Sequence, residues 1–406
     1  ILTSLYLFNL FFMKPYSIDH YLGKELVFGL MDSPEAMTYI GVFDRFNWLT
    51  KHNSKLSIPQ EDDIEKDIVD LEKSIKTLYK YNDSKLSDNQ RITKKIAIFD
   101  LENSLKELKE FTYLDYPLNQ IGGIHLNTVE FMSGMHPIRN KSEANDYIKR
   151  VNLIKEVYEG VLKDLEKQAI NAIYPPEFVY GHVIKQLNEF INYSYDDHPL
   201  YSQFMMKVNK LELSDEDLKN LDQEIKKAID ESVTPGFKLL LGFMKKTQKN
   251  ANKNHGIWSQ PGGDEYYKLR IRTYTTTDFS PEEIHQMGLS EVERISNRMR
   301  EILTSLGYDT AKSVGEIMND LNENPDFLYA DTPDRKEIVV NDYMEMVDEA
   351  IEVMTDYFHT MPESEVIVKA VPEYSEQTAA GGYYQSPALD GSRPGVFYAN
   401  LYDIKQ

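Results

Sequence analysis

From Ile64 the apolar residues fall at Ile64, Ile68, Leu71, Ile75 and Leu78, at intervals of 4, 3, 4 and 3, with Glu, Asp and Lys between them. That spacing draws one apolar stripe down a helix with a charged face opposite. Ser87-x-x-Gln90 then has the form of a capping box, and the helix it opens carries Ile92, Ile96, Phe99 and Leu108. The two segments predict a helical hairpin. Similar punctuation recurs along the chain. Ser33-Pro34-Glu35 pairs an N-cap serine with proline at the first helical position. Helical pattern runs from Ser142 to Ile173 and stops at Tyr174-Pro175-Pro176, and a further helix passes through His182, Leu187 and Phe190. Ser214 opens a helix with Leu218, Leu221, Ile225 and Ile229 inward, which Pro235-Gly236 must kink or split. Ser280-Pro281-Glu282-Glu283 is the strongest helix start, followed by a predicted core stripe of Val292, Ile295, Met299, Ile302 and Leu306 and a C-cap at Gly307. Thr332-Pro333 opens a last long helix expected to reach about Thr360, whereas Asp115 to Pro137 is broken by Pro and Gly.

Beyond residue 360 the period changes. Glu365 to Val371 is a β-branched run of strand length, and Ala379 to Gln385 and Val396 to Tyr402 are two more extended segments. The fold expected is therefore mainly α, a large multi-helix body with a small antiparallel β-sheet near the C-terminus. The polar, Gly-ending stretch 250–263 reads as a linker between a helical body, 1–249, and a region of helices plus sheet, 264–406.

Composition narrows the partners. The 406 residues carry a formal net charge of −21, which repels phosphate backbones and anionic membrane surfaces and argues against nucleic acid. The 27 Tyr and 18 Phe are accounted for mostly by core and half-buried packing. With no cysteine, disulfides and thiol chemistry are excluded. That absence suits cytosolic and exported proteins alike, and export, to the periplasm or as a lipoprotein, is the favoured compartment. The opening ILTSLYLFNLFF is too short to span a bilayer and lacks a basic n-region and a cleavage site. It is expected to begin a buried helical region that breaks near Pro15 and continues towards Met31. No transmembrane segment is expected, and a homodimer is left open.

Candidate chemistry is sparse. None of the nine histidines stands four residues from another, so no HExxH helix exists within these residues. Glu282 and His285 form one Glu-x-x-His, but a di-iron bundle needs two such pairs, and the glutamate is better explained by the helix dipole. Glu352, Asp356 and His359 share a helical face by spacing, which a solvated surface explains as well as a metal site does. Gly122-Gly123 and Gly262-Gly263 follow no convincing strand and serve turns rather than phosphates.

The stretch from Gly381 to Asp403 concentrates turn residues and aromatics without helical spacing. Read structurally, Asp390-Gly391-Ser392 and Pro394-Gly395 are turns and Tyr383, Tyr384, Phe397 and Tyr398 alternate across a sheet. Tyr383-Tyr384-Gln385-x-Pro387 followed by Asp390-Gly391-Ser392-Arg393-Pro394-Gly395-x-Phe397-Tyr398-x-Asn400 resembles the bacterial family catalogued as domain of unknown function 885. Tyr266-Tyr267 and Thr275-Thr276-Thr277-Asp278-x-Ser280-Pro281-Glu282-Glu283-Ile284-His285-x-x-Gly288 resemble it too. So, less specifically, do Asp115 to Gln120, Tyr174-Pro175-Pro176 and Ser33 through Gly41.

The resemblance implies a mostly helical relative of the thermolysin-like zinc metallopeptidases, the gluzincins, in which an HExxH helix holds zinc beside a small sheet. It implies that this helix would follow shortly after the Asn400 strand. The sequence ends at Gln406, so the chain is expected to be truncated before its catalytic motif, to offer no catalytic or metal-binding residue of its own, and to be inactive alone. Zinc is then expected for the full-length family and not for residues of this chain. What the chain is expected to supply is a substrate-facing edge for a peptide or small molecule, with Gly381, Gly382, Tyr383, Tyr384, Arg393, Tyr398 and Asn400 as its candidates. Arg393 suits either a carboxylate anchor or a turn. A non-catalytic helical protein that binds peptides or small ligands is the alternative, and a purely structural scaffold is a third.

Overall fold

A computed structural model of the chain describes residues 9, 13–309, 311–402 and 404. The opening apolar run therefore lies almost wholly outside the described residues. The chain divides into two compact units, Ile1–Leu269 and Arg270–Gln406.

The first unit is helical. Its helices include α1 (Ile18–Asp32), α2 (Pro34–Ile40), α3 (Asp63–Tyr79), α4 (Asp88–Glu110), α5 (Lys141–Ile170), α6 (Glu177–Asn192), α7 (Pro199–Val208), α8 (Asp215–Ala228), α9 (Thr234–Thr247) and α10 (Gly263–Thr275), the last crossing into the second unit. Caps stand where side-chain chemistry places them: Ser33 opens α2, Ser214 opens α8, and Ser87 and Gln90 complete the capping box of α4. The centre of the unit is α5, which buries Ala144, Tyr147, Val151, Ile154, Tyr158, Val161 and Leu165 on one face. Helix α9 packs there, with the Phe237 ring 5.5 Å from that of Tyr158, and α6 packs on α9, where the Phe190 and Phe237 rings stack at 4.9 Å. Gly236 permits this approach, because a Cβ there would sit 3.0 Å from the Tyr158 ring. Pro235 splits the chain as expected. A π-helical turn, Ile229–Val233, carries α8 into α9, and the Ser232 hydroxyl beside it donates to the Asn152 carbonyl at 2.9 Å.

The α3–α4 hairpin forms, with one correction to its inner face. Ile92 and Ile96 are exposed, and Lys94, Ala97, Ile98 and Leu101 turn inward instead. The Lys94 ammonium decides this register. It donates to the Tyr81 carbonyl and to Asp83 Oδ1, each at 2.7 Å, so its stem covers the apolar cluster while its head is paired. The stretch 250–263 is tied down: Asn252 N–H donates to the Pro175 carbonyl, and Gln260 Nε2 to the Tyr174 carbonyl.

The second unit holds α11 (Pro281–Ser305), α12 (Val314–Asn322), α13 (Arg335–Met354) and three strands: β1 (Val366–Ala370), β2 (Gly382–Gln385) and β3 (Gly395–Ala399). The capping box at Ser280 and Glu283 is formed, and Gly307 adopts φ +87° beyond the end of α11. Two expectations are corrected here. The sheet is mixed, ordered β1-β3-β2: β3 pairs antiparallel with β2 but parallel with β1. The chain between β1 and β2, including the helical turn Glu373–Glu376, returns it to the opposite edge, so the third strand enters the middle. Second, the supposed core stripe of α11 is not covered. Val292 is 64% and Leu306 67% exposed, Ile295 and Ile302 are exposed as well, and only Leu303 of this helix is buried. Helix α13 ends at Met354, short of Thr360, with Val339 buried against Ala399 and Leu401.

Candidate functional site

The end segment folds around β3, whose neighbours make its two faces different. One face carries Phe397 and Ala399 against α13, where the Tyr343 and Phe397 rings meet edge-on at 6.1 Å. The other carries Val396 and Tyr398 with Ile367, Val371 and Tyr383, and the Tyr383 and Tyr398 rings stack at 4.9 Å across the β2–β3 pair. Tyr383 and Tyr398 thus hold the sheet together.

Tyr384 stands on the Phe397 side of β2 and is 51% exposed. Its hydroxyl lies over Gly395, where a Cβ would come within 2.2 Å of that oxygen. Gly382 is similarly crowded: a Cβ there would meet the Phe397 ring at 3.0 Å and the Tyr398 carbonyl at 3.2 Å. Gly381 accepts a hydrogen bond from Asn400 N–H at 2.9 Å. The Asn400 side chain is turned to backbone as well. Its amide donates to the carbonyls of Glu376 at 2.7 Å and Ala379 at 3.2 Å, and its oxygen accepts from Tyr402 N–H. Asn400 therefore clamps the loop before β2 onto the end of β3.

The turn 388–395 is built as its residues require. Asp390 Oδ1 accepts from both the N–H and the hydroxyl of Ser392, Gly391 takes φ +74°, and Ala388 N–H donates to the Arg393 carbonyl at 3.0 Å. Arg393 is half-buried behind this turn. Beside it lies an open groove of about 570 Å³, lined by Glu363, Glu365, Pro387, Leu389, Asp390 and Pro394 among others.

The two sheet edges differ. Along β1 the Val368 N–H meets the Met344 sulfur at 3.0 Å, so α13 shields that edge. On the other side, the Asn400–Gly381 bond sets the phase of the antiparallel ladder, placing Tyr383 and Gln385 in the hydrogen-bonded pairs. The N–H and C=O of Gly382 and Tyr384 consequently point away from β3, along the outer edge of the sheet. Such an edge is a template for another extended chain.

The metal candidates do not assemble. Among the described residues no group of three or more His, Asp or Glu converges as a metal would need. Glu282 accepts from Gln286 Nε2 at 2.7 Å, and its neighbour His285 is exposed. Because α13 stops at Met354, Asp356 and His359 lie beyond the helix that was to align them with Glu352.

The first unit contains a polar cluster that its sequence did not announce. Arg150, with none of its surface exposed, donates to the carbonyls of Lys55, Pro34 and His52, to Thr38 Oγ1 at 2.7 Å and to His136 Nδ1 at 3.0 Å. Burial pushes the guanidinium down to about 10. Burial, with Arg150 beside it, holds His136 well below the usual imidazole range. Asp44 is raised by burial, but hydrogen bonds from His52 and Asn53 and the Arg139 guanidinium outweigh this and keep it low. Each donor of this cluster ends on protein, which is the arrangement of a polar core rather than of a substrate site. Its one sequence signal is Arg150 standing beside Tyr147, Val151 and Ile154 on the apolar face of α5.

With this geometry in hand, comparison with known proteins decides the family. The family model described as "Bacterial protein of unknown function (DUF885)" matches residues 34–406. The chain belongs to this family. Among solved structures it is similar to "the putative lipoprotein from Colwellia psychrerythraea", at 26% identity and a TM-score of 0.83, over 94% of this chain and 68% of that one. It is also similar in fold to "a putative lipoprotein of unknown function from Shewanella oneidensis", at 15% identity and a TM-score of 0.57, over 95% of this chain and 65% of that one. This DUF885 chain thus spans about two thirds of the length of either. No curated protein matches it. Among the described residues no helix is long and apolar enough to cross a membrane.

Proposed function

We propose that the outer edge of β2 is one wall of a peptide site, and that the whole protein is a zinc-dependent, peptidase-like hydrolase of the exported kind. The observation that carries the reading is the outward row of backbone groups at Gly382 and Tyr384, with the exposed Tyr384 ring beside it. An extended peptide pairing there gains backbone hydrogen bonds without sequence restriction, and the ring and the adjoining groove supply side-chain contacts. Glu363, Glu365 and Asp390 make that groove acidic and suit it to a cationic group on the ligand. The described residues do not fit a zinc site, and on this reading the zinc ligands lie in polypeptide outside them. Support for export comes from the two solved relatives, both named as putative lipoproteins. The gluzincin likeness is carried only by what the family resemblance of the sequence motifs implies.

The test uses a fluorescent extended peptide. The 406-residue chain is expected to bind it and not to cleave it, and Tyr384→Pro, which deletes one outward N–H, to weaken binding about tenfold, the worth of one hydrogen bond. Tyr384→Phe should bind as the parent does. Unchanged binding by Tyr384→Pro would remove the edge from the site. Zinc-dependent cleavage by the 406-residue chain would overturn the placing of the metal ligands elsewhere. Binding without cleavage by the complete gene product would favour a non-catalytic peptide binder on the same edge.

A further inference from the structure

The stripe of α11 is an apolar surface left uncovered in the second unit. Ile284, Val292, Ile295, Met299, Ile302 and Leu306 recur at helical spacing on one side of it. Four of them, Val292, Ile295, Ile302 and Leu306, are exposed. The far half of α13 adds exposed apolar residues, Met346, Ile351, Val353 and Met354, and Tyr357 and Phe358 beyond its end are exposed too. Isolated apolar residues on a surface need no explanation, but an aligned row on a long, well-capped helix such as α11 does. A helix of this kind takes most of its stability from what packs on its apolar face.

We infer that these faces are the seat of a further polypeptide segment, corresponding to the third of the solved relatives that this chain does not span. Two observations choose this occupant. The relatives contain nearly all of this chain, 94% and 95% of it, yet this chain covers only 68% and 65% of them. Those relatives therefore carry further polypeptide of roughly half this chain's own length, enough for a domain-sized layer. The net charge of −21 weighs against the other occupants, because it opposes close pairing of a second copy and contact with an anionic lipid surface. The inference is independent of zinc and of peptide binding.

The absence of cysteine makes the test direct. Single reporters Val292→Cys and Ile302→Cys, with Glu293→Cys as a control off the stripe, are labelled with a maleimide in two proteins. One is the 406-residue chain, and the other is the complete product of its gene. All three thiols should react at open rates in the first. In the second the two stripe positions should slow at least tenfold and the control should not. Equal rates in both proteins would overturn the inference, as would a gene encoding nothing beyond these residues. So would stripe thiols that are already slow in the 406-residue chain and quicken on dilution, since the occupant would then be a second copy.

Discussion

Helices α5 and α11 are built alike. Each is a long amphipathic helix capped by a side chain, Asn140 for one and Ser280 for the other, with apolar residues at intervals of three and four. Yet α5 buries a continuous face, while α11 buries Leu303 alone. The difference lies not in local sequence but in what surrounds each helix. Around α5 the chain supplies α8, α9 and the π-helical turn between them, and around α11 the second unit supplies little beyond α12. Periodicity states that a helix has a face to cover. It does not state that the same stretch of chain covers it.

The contrast is broken most forcefully at Arg150. Arg150→Ala leaves three backbone carbonyls and His136 without their donor inside a packed core, and should cost about 3–5 kcal/mol. Ile302→Ala in the 406-residue chain removes atoms from an exposed face and should stay within about 0.5 kcal/mol. Urea unfolding of the two variants measures both. A loss above about 2 kcal/mol at Ile302 would mean that the stripe is covered after all, since that is the range of buried large-to-small changes.

Much of this architecture was legible in the chain. Ser33, Ser87, Ser214 and Ser280 sit at helix N-caps because a hydroxyl there satisfies an N–H that the helix cannot, a local rule that needs no tertiary knowledge. The turn at Asp390-Gly391-Ser392 was legible for the same reason. Strand order was not, because β1 joins β3 across the whole of β2 and pairing is decided by contacts distant in sequence. Nor was the role of Asn400, which reads as a site residue but spends its amide on Glu376 and Ala379. Lys94 and Arg150 defeated the simple apolar rule in another way: a charged residue enters a core when its hydrogen bonds are all met there. Of the candidate site, the strand residues were legible. Which edge stays open was not, because it depends on Met344 reaching Val368 from another helix.

Acid should separate the two units next. His125 and His198 are buried in the first unit, and burial pushes each down to about 4 from an ordinary 6.5. His136 shifts the same way. A histidine depressed in the folded state binds its proton more readily once unfolded, so folding stability is full above about pH 6.5 and falls as pH drops towards 4. Each such residue removes up to about 1.4 kcal/mol per pH unit in that window. The histidines of the second unit, His285 and His359, are both exposed. Hydrogen exchange at pH 7 and pH 5 should therefore show first-unit helices losing more protection than the sheet does. Equal losses would place the acid-sensitive groups elsewhere.

A small effect is expected at the edge itself. A Cβ at Gly395 would fall 2.2 Å from the Tyr384 hydroxyl and 2.9 Å from its Cζ, distances a non-bonded Cβ does not sustain. Gly395→Ala must therefore displace one of the two. Gly395 is buried and held by its N–H to the Glu365 carbonyl at 2.8 Å, whereas Tyr384 is half in solvent, so the ring is the part that moves. Moving an exposed ring costs little, about 1 kcal/mol or less, and the sheet should survive with β1 and β3 still paired. The backbone groups of Gly382 and Tyr384 keep their outward direction, because the ladder sets it and the ring does not. Gly395→Ala should thus weaken a peptide that contacts the ring while leaving the effect of Tyr384→Pro intact. A Gly395→Ala chain that binds like the parent would assign recognition to the backbone edge alone, and one that unfolds would show that the ring is fixed by more than its contact with Gly395.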